Sequence, residues 1–535
     1  MPQYKAPLRD MQFVLHELLN AEAHYATLPA FQGTVSRELV DQYLEAAADF
    51  CENELSPINQ SGDREGCTWN DGVVTTPTGF KEAYQKYIEL GFPSLSADEE
   101  FGGQALPNSL GIAISEMVGT ANWSWGMYPG LSHGAVRTIE HHGSDEQKAI
   151  YMPNLVSGVW TGTMCLTESH AGSDLGIIRS KAEPNADGSY AISGEKIFIS
   201  AGEHDMAENI IHIVLARLPG APKGTKGISL FIVPKFHVNA DGSIGERNTV
   251  RCGSIEHKMG IHGNATCVIN FDQAKGYLIG PENRGLNCMF TFMNTARIGT
   301  AVQGLAASEG SFQGALAYAK DRLAMRSLSG PKAPEKEADP IIVHPAVRNM
   351  LLTQKAFAEG GRALVYLLAQ YADVVEKGET EEERKFADNI LSVLTPIAKA
   401  FLTETGYESA NHGVQVFGGH GFISEHGMEQ IVRDTRIACL YEGTTEIQAL
   451  DLLGRKVLQT QGAMLKDFTK IIHKFVEANK DNAAMQEFLA PLAAANKEWG
   501  DITMQIGMRA MQNPDEVGAA AVDYLYFSGY VTLAF

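Results

Sequence analysis

The chain has 535 residues, 44% of them hydrophobic and 20% charged, and a formal net charge of −21. Its length suggests roughly three or four domain-sized units of ~150 residues, with ample apolar material for their cores. So acidic a chain lacks the basic footprint that nucleic acid or an anionic membrane requires, so both are excluded as partners on charge. The seven cysteines are scattered and never spaced C-x-x-C, which points to a reducing compartment without a disulfide framework or a zinc site. The opening MPQYKAPLRDMQFVLHELL has helical apolar spacing broken by charges and is no signal peptide, and no stretch reaches the ~18 apolar residues of a spanning helix. A cytoplasmic protein is expected.

Residues 1–160 read as an N-terminal helical domain, with helical stretches around Arg37 to Leu55 and Gly79 to Leu90 and turn-rich connections between them. The character changes near Val159. VWTGTMCLTE, YAISGEKIFIS, IIHIVLARL, ISLFIVPKF and TCVINFD are short runs rich in apolar, β-branched or aromatic residues, separated by turn clusters such as NADGS. This is the pattern of an antiparallel β domain, placed at 161–280. Helical signal returns over 281–455, as in AVQGLAASEGSFQGALAYAKDRLAM, interrupted by the hydrophilic insert SLSGPKAPEKEADP, which reads as an exposed loop. A helical extension covers 456–535. Its apolar close, VDYLYFSGYVTLAF, implies either burial of that end or a longer natural chain. The fold class is α+β.

The chain has no G-x-G-x-x-G, G-x-x-x-x-G-K-[ST] or H-E-x-x-H, which excludes the common nicotinamide, P-loop and zincin sites. The histidines show no metal spacing. Four stretches carry chemistry instead. In Cys165–Asp174, hydroxyls and small residues at a strand end let backbone amides approach a ring or a phosphate, although an ordinary polar turn has the same composition. In Gly194–Ser200, Phe198 and Ser200 stand two residues apart, expected on one strand face, which suits stacking on and hydrogen bonding to a planar cofactor as well as it suits a plain half-buried strand. Around Gln415–Phe422, three glycines in four positions admit a ligand or another backbone, or simply make a sharp turn. Glu442 follows the apolar run IACLY and precedes Gly443, Thr444 and Thr445. A carboxylate beside apolar groups gains proton affinity, which suits a general base, while a helix-start carboxylate is the plainer reading.

Together and in this order, from about Arg37 to Arg455, these stretches resemble the acyl-CoA dehydrogenase family. EFGG at Glu100–Gly103, a strand HKMGIHG at His257–Gly263 and YAKDR at Tyr318–Arg322 add to the match. The resemblance implies an N-terminal helical domain, a middle antiparallel β domain, and a C-terminal four-helix bundle followed here by the helical extension. It implies FAD as cofactor and no metal. Leu166 and Thr167 would meet the isoalloxazine ring, and Ser173 would serve both FAD and acyl-CoA. Phe198 and Ser200 stand where the family usually has tryptophan and threonine, and Ser169 where it has proline. Arg322, Gln415 and Gly419 match positions that bind the FAD of a neighbouring subunit, and Thr444 and Glu446 match positions near the adenosine. Asn294 and Arg297 match a substrate-contacting helix, Gly443 lies beside the thioester, and Glu442 is the implied base, with Glu168 as the next carboxylate to consider.

The implied reaction is α,β-dehydrogenation of an acyl-CoA, with an electron-transfer flavoprotein as reoxidant and a homodimer or homotetramer as the assembly. The opening, the insert and the extension resemble a large-subunit branch that includes the 3-methylmercaptopropionyl-CoA dehydrogenases of dimethylsulfoniopropionate breakdown and general fatty acyl-CoA enzymes. An oxygen-using acyl-CoA oxidase would share every motif. A DNA-associated binding flavoprotein of the same superfamily would need a basic surface that the charge of −21 denies it.

Overall fold

The computed structural model describes residues 3–535. The chain forms two compact units, one of Met1–Ala46, Asn108–Thr120 and Arg297–Phe535, the other of Ala47–Pro107 and Ala121–Ala296. The principal helices are α1 (Arg37–Phe50), α2 (Phe80–Glu89), α3 (Asn108–His142), α4 (Asp145–Val156), α5 (Gly285–Asp321), α6 (Pro345–Lys377), α7 (Glu381–Phe417), α8 (Thr445–Leu450), α9 (Ala463–Asn479), α10 (Gln486–Ala510) and α11 (Asp515–Ala534). Local chemistry starts several of them. Ser144 and Gln147 form a capping box at α4, Thr380 and Glu383 another at α7, and Pro345 opens α6. Within α3, Asn122 leaves helical geometry (φ −162°, ψ 91°), and its Oδ1 accepts from Trp125 N at 3.1 Å, capping the helix afresh.

A seven-stranded sheet is built from β1 (Trp160–Cys165), β2 (Lys181–Pro184), β3 (Tyr190–Ser200), β4 (Asn209–Ala216), β5 (Ser229–Pro234), β6 (Val250–Ile255) and β7 (Thr266–Ile279). The spatial order is β1-β4-β5-β7-β3-β2, with β6 also on β7. The expected antiparallel domain is present, with one exception: β1 runs parallel to β4. Every residue of β4 and of β5 is buried, because both faces are covered. Ile211, Ile213 and Leu215 enter one core, while Val214 and Ala216 enter the other.

Three local expectations are corrected. The region expected to be helical up to residue 160 also holds a small hairpin, Thr68–Asn70 with Val73–Thr75, closed by Asp71 (φ 49°) and Gly72 (φ 92°). His257–Gly263 is a turn and not a strand. Its ladder stops at Ile255↔Cys267, Ile261 adopts φ 48°, and Asn264 N donates back to Ile261 O at 3.0 Å. The helical stretch ending in DRLAM stops at Asp321. Met325 sits at φ 60°, and the buried Asp339 carboxylate gathers the following insert by accepting from Ser327 N, Lys332 N and Ala333 N at 2.7–2.9 Å.

In the other unit, α7 is the hub of the expected helical bundle and packs along α6 and against α8, α9 and α11. Arg362 of α6 is fully buried and donates to Glu116 Oε1 at 2.6 Å and Glu309 Oε2 at 2.8 Å, binding α3, α5 and α6 together. On α11, Tyr524, Leu525 and Val531 are buried. Gly529 lies so close to Phe401 of α7 that a Cβ would come within 2.3 Å of its ring. No helix among the described residues is long and apolar enough to cross a membrane.

Candidate active site

Glu442 lies in the bend between the short helix Ile437–Cys439 and α8. Its backbone is left-handed at φ 55°, and Gly443 follows at φ 88°. A side chain in that region is strained by about 1–2 kcal/mol, so the surroundings must hold it there. They do so through both carbonyls. Gln448 Nε2 donates to Glu442 O at 3.0 Å, and Lys399 Nζ donates to Gly443 O at 2.5 Å. One residue earlier, Tyr441 Oη donates to Gln303 Oε1 at 2.5 Å, and Gln303 Nε2 donates to Asp434 O at 3.1 Å. Gly443 cannot be replaced cheaply, because its φ of 88° strains any side chain, and a Cβ would also displace Gln448 Nε2, 2.4 Å away, from its place at the Glu442 carbonyl.

Glu442 is half-buried. Burial pushes its carboxyl up to about 7, against the opposing pull of the Arg297 and Lys399 cations. Ala438 and Cys439 of the preceding apolar run are buried, whereas Leu440 is 46% exposed, so only part of the run can shield the carboxylate. Arg297 is buried on α5, with Nη1 3.5 Å from Asp451 Oδ2, while Asp451 also holds Arg455 at 3.0 Å. Asn294, one helical turn earlier on α5, is exposed.

Thr444 caps α8, its Oγ1 accepting from Ile447 N at 3.3 Å, and Glu446 is exposed in the first turn. Arg322 is exposed just past the end of α5, and Gln415 and Gly419 are exposed at the end of α7. Tyr318 joins these two places. Its ring stacks on Phe417 at 4.0 Å, and its hydroxyl meets His420 Nδ1 at 2.8 Å. The Arg322 and Gln415–Gly419 stretches, far apart in sequence, thus form one surface.

In the sheet unit, Leu166 and Thr167 are half-buried beside β3. Leu166 O accepts from Lys196 Nζ and Thr167 O from Ile197 N, both at 2.9 Å. The turn beyond them closes without proline, since Glu168 and Ala171 exchange two backbone hydrogen bonds of 2.9 Å around Ser169 and His170. Ser173 is exposed on the following loop. Phe198 departs from the expected strand geometry. It adopts φ 58° where the β3–β7 register slips, so the simple alternation that would put Phe198 and Ser200 on one face is broken there. The bulge leaves the Phe198 ring 58% exposed, which fits a platform for a planar cofactor, while Ser200 is half-buried.

Glu168 does not fit the part of a base. It accepts from Arg179 N at 2.6 Å, Ser180 N at 3.0 Å, Ser180 Oγ at 2.7 Å and the fully buried Lys196 at 2.9 Å. Burial alone would raise its proton affinity, but the Lys196 ammonium and these hydrogen bonds bring it down to about 2. Its work is to tie the Leu166–Thr167 stretch to β3. Sequence reading missed Lys399, Gln448 and Gln303. The available signal was Lys399 itself, a lone charge inside the apolar run TPIAKAFL.

Family models match four segments: "Acyl-CoA dehydrogenase, N-terminal domain" at 38–159, "middle domain" at 163–274, "C-terminal domain" at 283–458, and "Acetyl-CoA dehydrogenase C-terminal like" at 468–535. The 3-methylmercaptopropionyl-CoA dehydrogenase of Ruegeria pomeroyi is 43% identical over 98% of this chain and 89% of its own. A butyryl-CoA dehydrogenase of Syntrophomonas wolfei subsp. wolfei is 36% identical over 91% of this chain and 81% of its own. Caenorhabditis elegans ACDH-11, solved in complex with C11-CoA, shares the fold with a TM-score of 0.82 over 100% of this chain and 88% of its own, at 19% identity.

Proposed function

The chain belongs to the acyl-CoA dehydrogenase family, and we propose that Glu442 is the base of its FAD-dependent α,β-dehydrogenation of an acyl-CoA thioester. The observation that carries this is a half-buried carboxylate, pushed up to about 7, held on a left-handed backbone beside a glycine. A proton affinity near neutrality lets the carboxylate accept the α-proton at working pH. Gly443 lets the thioester approach closely. A backbone N–H near Glu442 polarises the thioester carbonyl and stabilises the enolate that develops. Bound FAD supplies the hydride acceptor for the β-carbon. Leu166, Thr167, Ser173, Phe198, Ser200, Arg322, Gln415, Gly419, Thr444 and Glu446 would hold the cofactor. Ser173, Asn294, Arg297 and Gly443 would hold the substrate.

The substrates proposed are short, slim thioesters such as 3-methylmercaptopropionyl-CoA and butanoyl-CoA, supported by the two relatives named above. An electron-transfer flavoprotein is the proposed acceptor, in a cytoplasmic homodimer or homotetramer. Glu442→Gln tests the base: the variant keeps FAD and acyl-CoA binding, while anaerobic flavin bleaching by substrate slows ~100- to 10,000-fold. Wild-type bleaching would remove Glu442 from the role. Hydrogen peroxide formed without an added acceptor would replace the dehydrogenase reading with an oxidase.

A further inference from the structure

Lys399 is fully buried on α7, where Thr395 through Thr403 are all buried. An ammonium is costly to bury, and one with no carboxylate partner especially so. Among the described residues, Lys399 makes no ion pair within 4 Å, and it donates a hydrogen bond to a neutral group, the carbonyl of Gly443 at 2.5 Å. A neutral donor such as glutamine could satisfy that carbonyl at lower cost. Retaining a cation there calls for a use of its charge as well as of its hydrogen bond.

The neighbouring carbonyl is treated the same way. Gln448, fully buried on α8, donates to Glu442 O at 3.0 Å. The two side chains come from different helices and grip two successive peptide groups, those on which the left-handed angles of Glu442 and Gly443 depend. Released, Glu442 would relax toward an ordinary backbone conformation, and its carboxylate would swing away.

Resting on the reading of Glu442 as the base, we propose that Lys399 and Gln448 are positioning residues that clamp the Glu442–Gly443 backbone, with the Lys399 charge also setting the proton affinity of the carboxylate. The groups facing these two are few. Arg297 from α5 and Lys399 from α7 act on Glu442. Cys439, Glu442, Arg297 and Glu404 act on Lys399, which burial pulls down to about 8. Arg297 already has Asp451 within 3.5 Å, so Lys399 is the cation without a carboxylate of its own. Two roles thus divide between two residues. Lys399 supplies position and charge, whereas Gln448 supplies position only.

The test uses the FAD-loaded protein and a 3-thiaacyl-CoA, whose sulfur at the β position prevents oxidation, so that exchange of its α-hydrogens into D2O reads the base alone. Lys399→Met is expected to slow exchange about 100-fold, the scale of a displacement near 1 Å. It is also expected to move the acid limb of the pH profile upward, because a cation near the carboxylate is lost. Lys399→Arg returns the limb toward the wild-type position. Gln448→Met slows exchange and leaves the limb where it was. A Lys399→Met protein with wild-type rate and limb overturns the proposal, and so does a limb that shifts equally in Lys399→Arg. Should Lys399→Met fail to fold, Lys399→Arg and Gln448→Met decide: Gln448→Met at wild-type rate overturns the clamp. Glu442→Gln is run in parallel. If it exchanges at the wild-type rate, it is the base assignment that fails, and the Lys399 result is then read for itself.

Discussion

Glu442→Gln carries a second consequence, in stability, that needs no substrate. Burial lifts the Glu442 carboxyl from the ordinary 4.5 to about 7, so the folded chain holds this proton more tightly than the unfolded chain. Below about 4.5 both states are protonated and the residue costs nothing. As pH rises toward 7 the unfolded state ionises freely while the folded state resists, and the native state loses stability until the folded carboxyl also ionises. At 1.36 kcal/mol per unit, a rise of about 2.5 units corresponds to roughly 3 kcal/mol, an upper figure for a half-buried group. Glutamine resembles the protonated acid and cannot ionise. The variant should therefore be more stable than wild type at pH 8, with the gain shrinking toward pH 5. At an unfolding entropy of ~2.1 cal/mol/K per residue, the gain is a rise in melting temperature of about 3 °C. Calorimetry of both FAD-loaded proteins at pH 5 and pH 8 measures it. No gain at pH 8, or an equal gain at both, would refute a carboxyl destabilised by burial.

Two further outcomes follow from the sheet unit. Lys196→Met strands the Glu168 carboxylate, buried without its cation, and should cost about 3–5 kcal/mol, read as a lowered denaturation midpoint, with Glu168→Gln in the same protein recovering part of the loss. Phe198→Gly removes an exposed ring from a left-handed backbone and should change stability by less than about 1 kcal/mol while weakening FAD binding in a fluorescence titration; unchanged affinity would take Phe198 out of the cofactor site.

Much of the architecture was legible in the chain because its signals are local. Runs such as IIHIVLA and SLFIVP read as strands, which the structure bears out. Glu442 could be singled out through the family resemblance, since its neighbours alone, an apolar run before it and Gly443 after it, suit a helix-start carboxylate as well. What surrounds it could not. Lys399 reaches Gly443 across 44 residues, and Gln303 reaches Tyr441 across 138. Such contacts exist only once α5 and α7 have docked around the loop, and no periodicity within one helix encodes them. The same holds for Phe198, whose strand looked regular until pairing with β7 forced a bulge, and for Glu168, whose carboxylate was open to a catalytic reading until Lys196 and Ser180 closed around it. Spacing along the chain determines which residues share an element and a face. Which charges are neutralised, and which carboxylate is left with a raised proton affinity, depends on burial and on distances across the fold, and only the tertiary structure decides those.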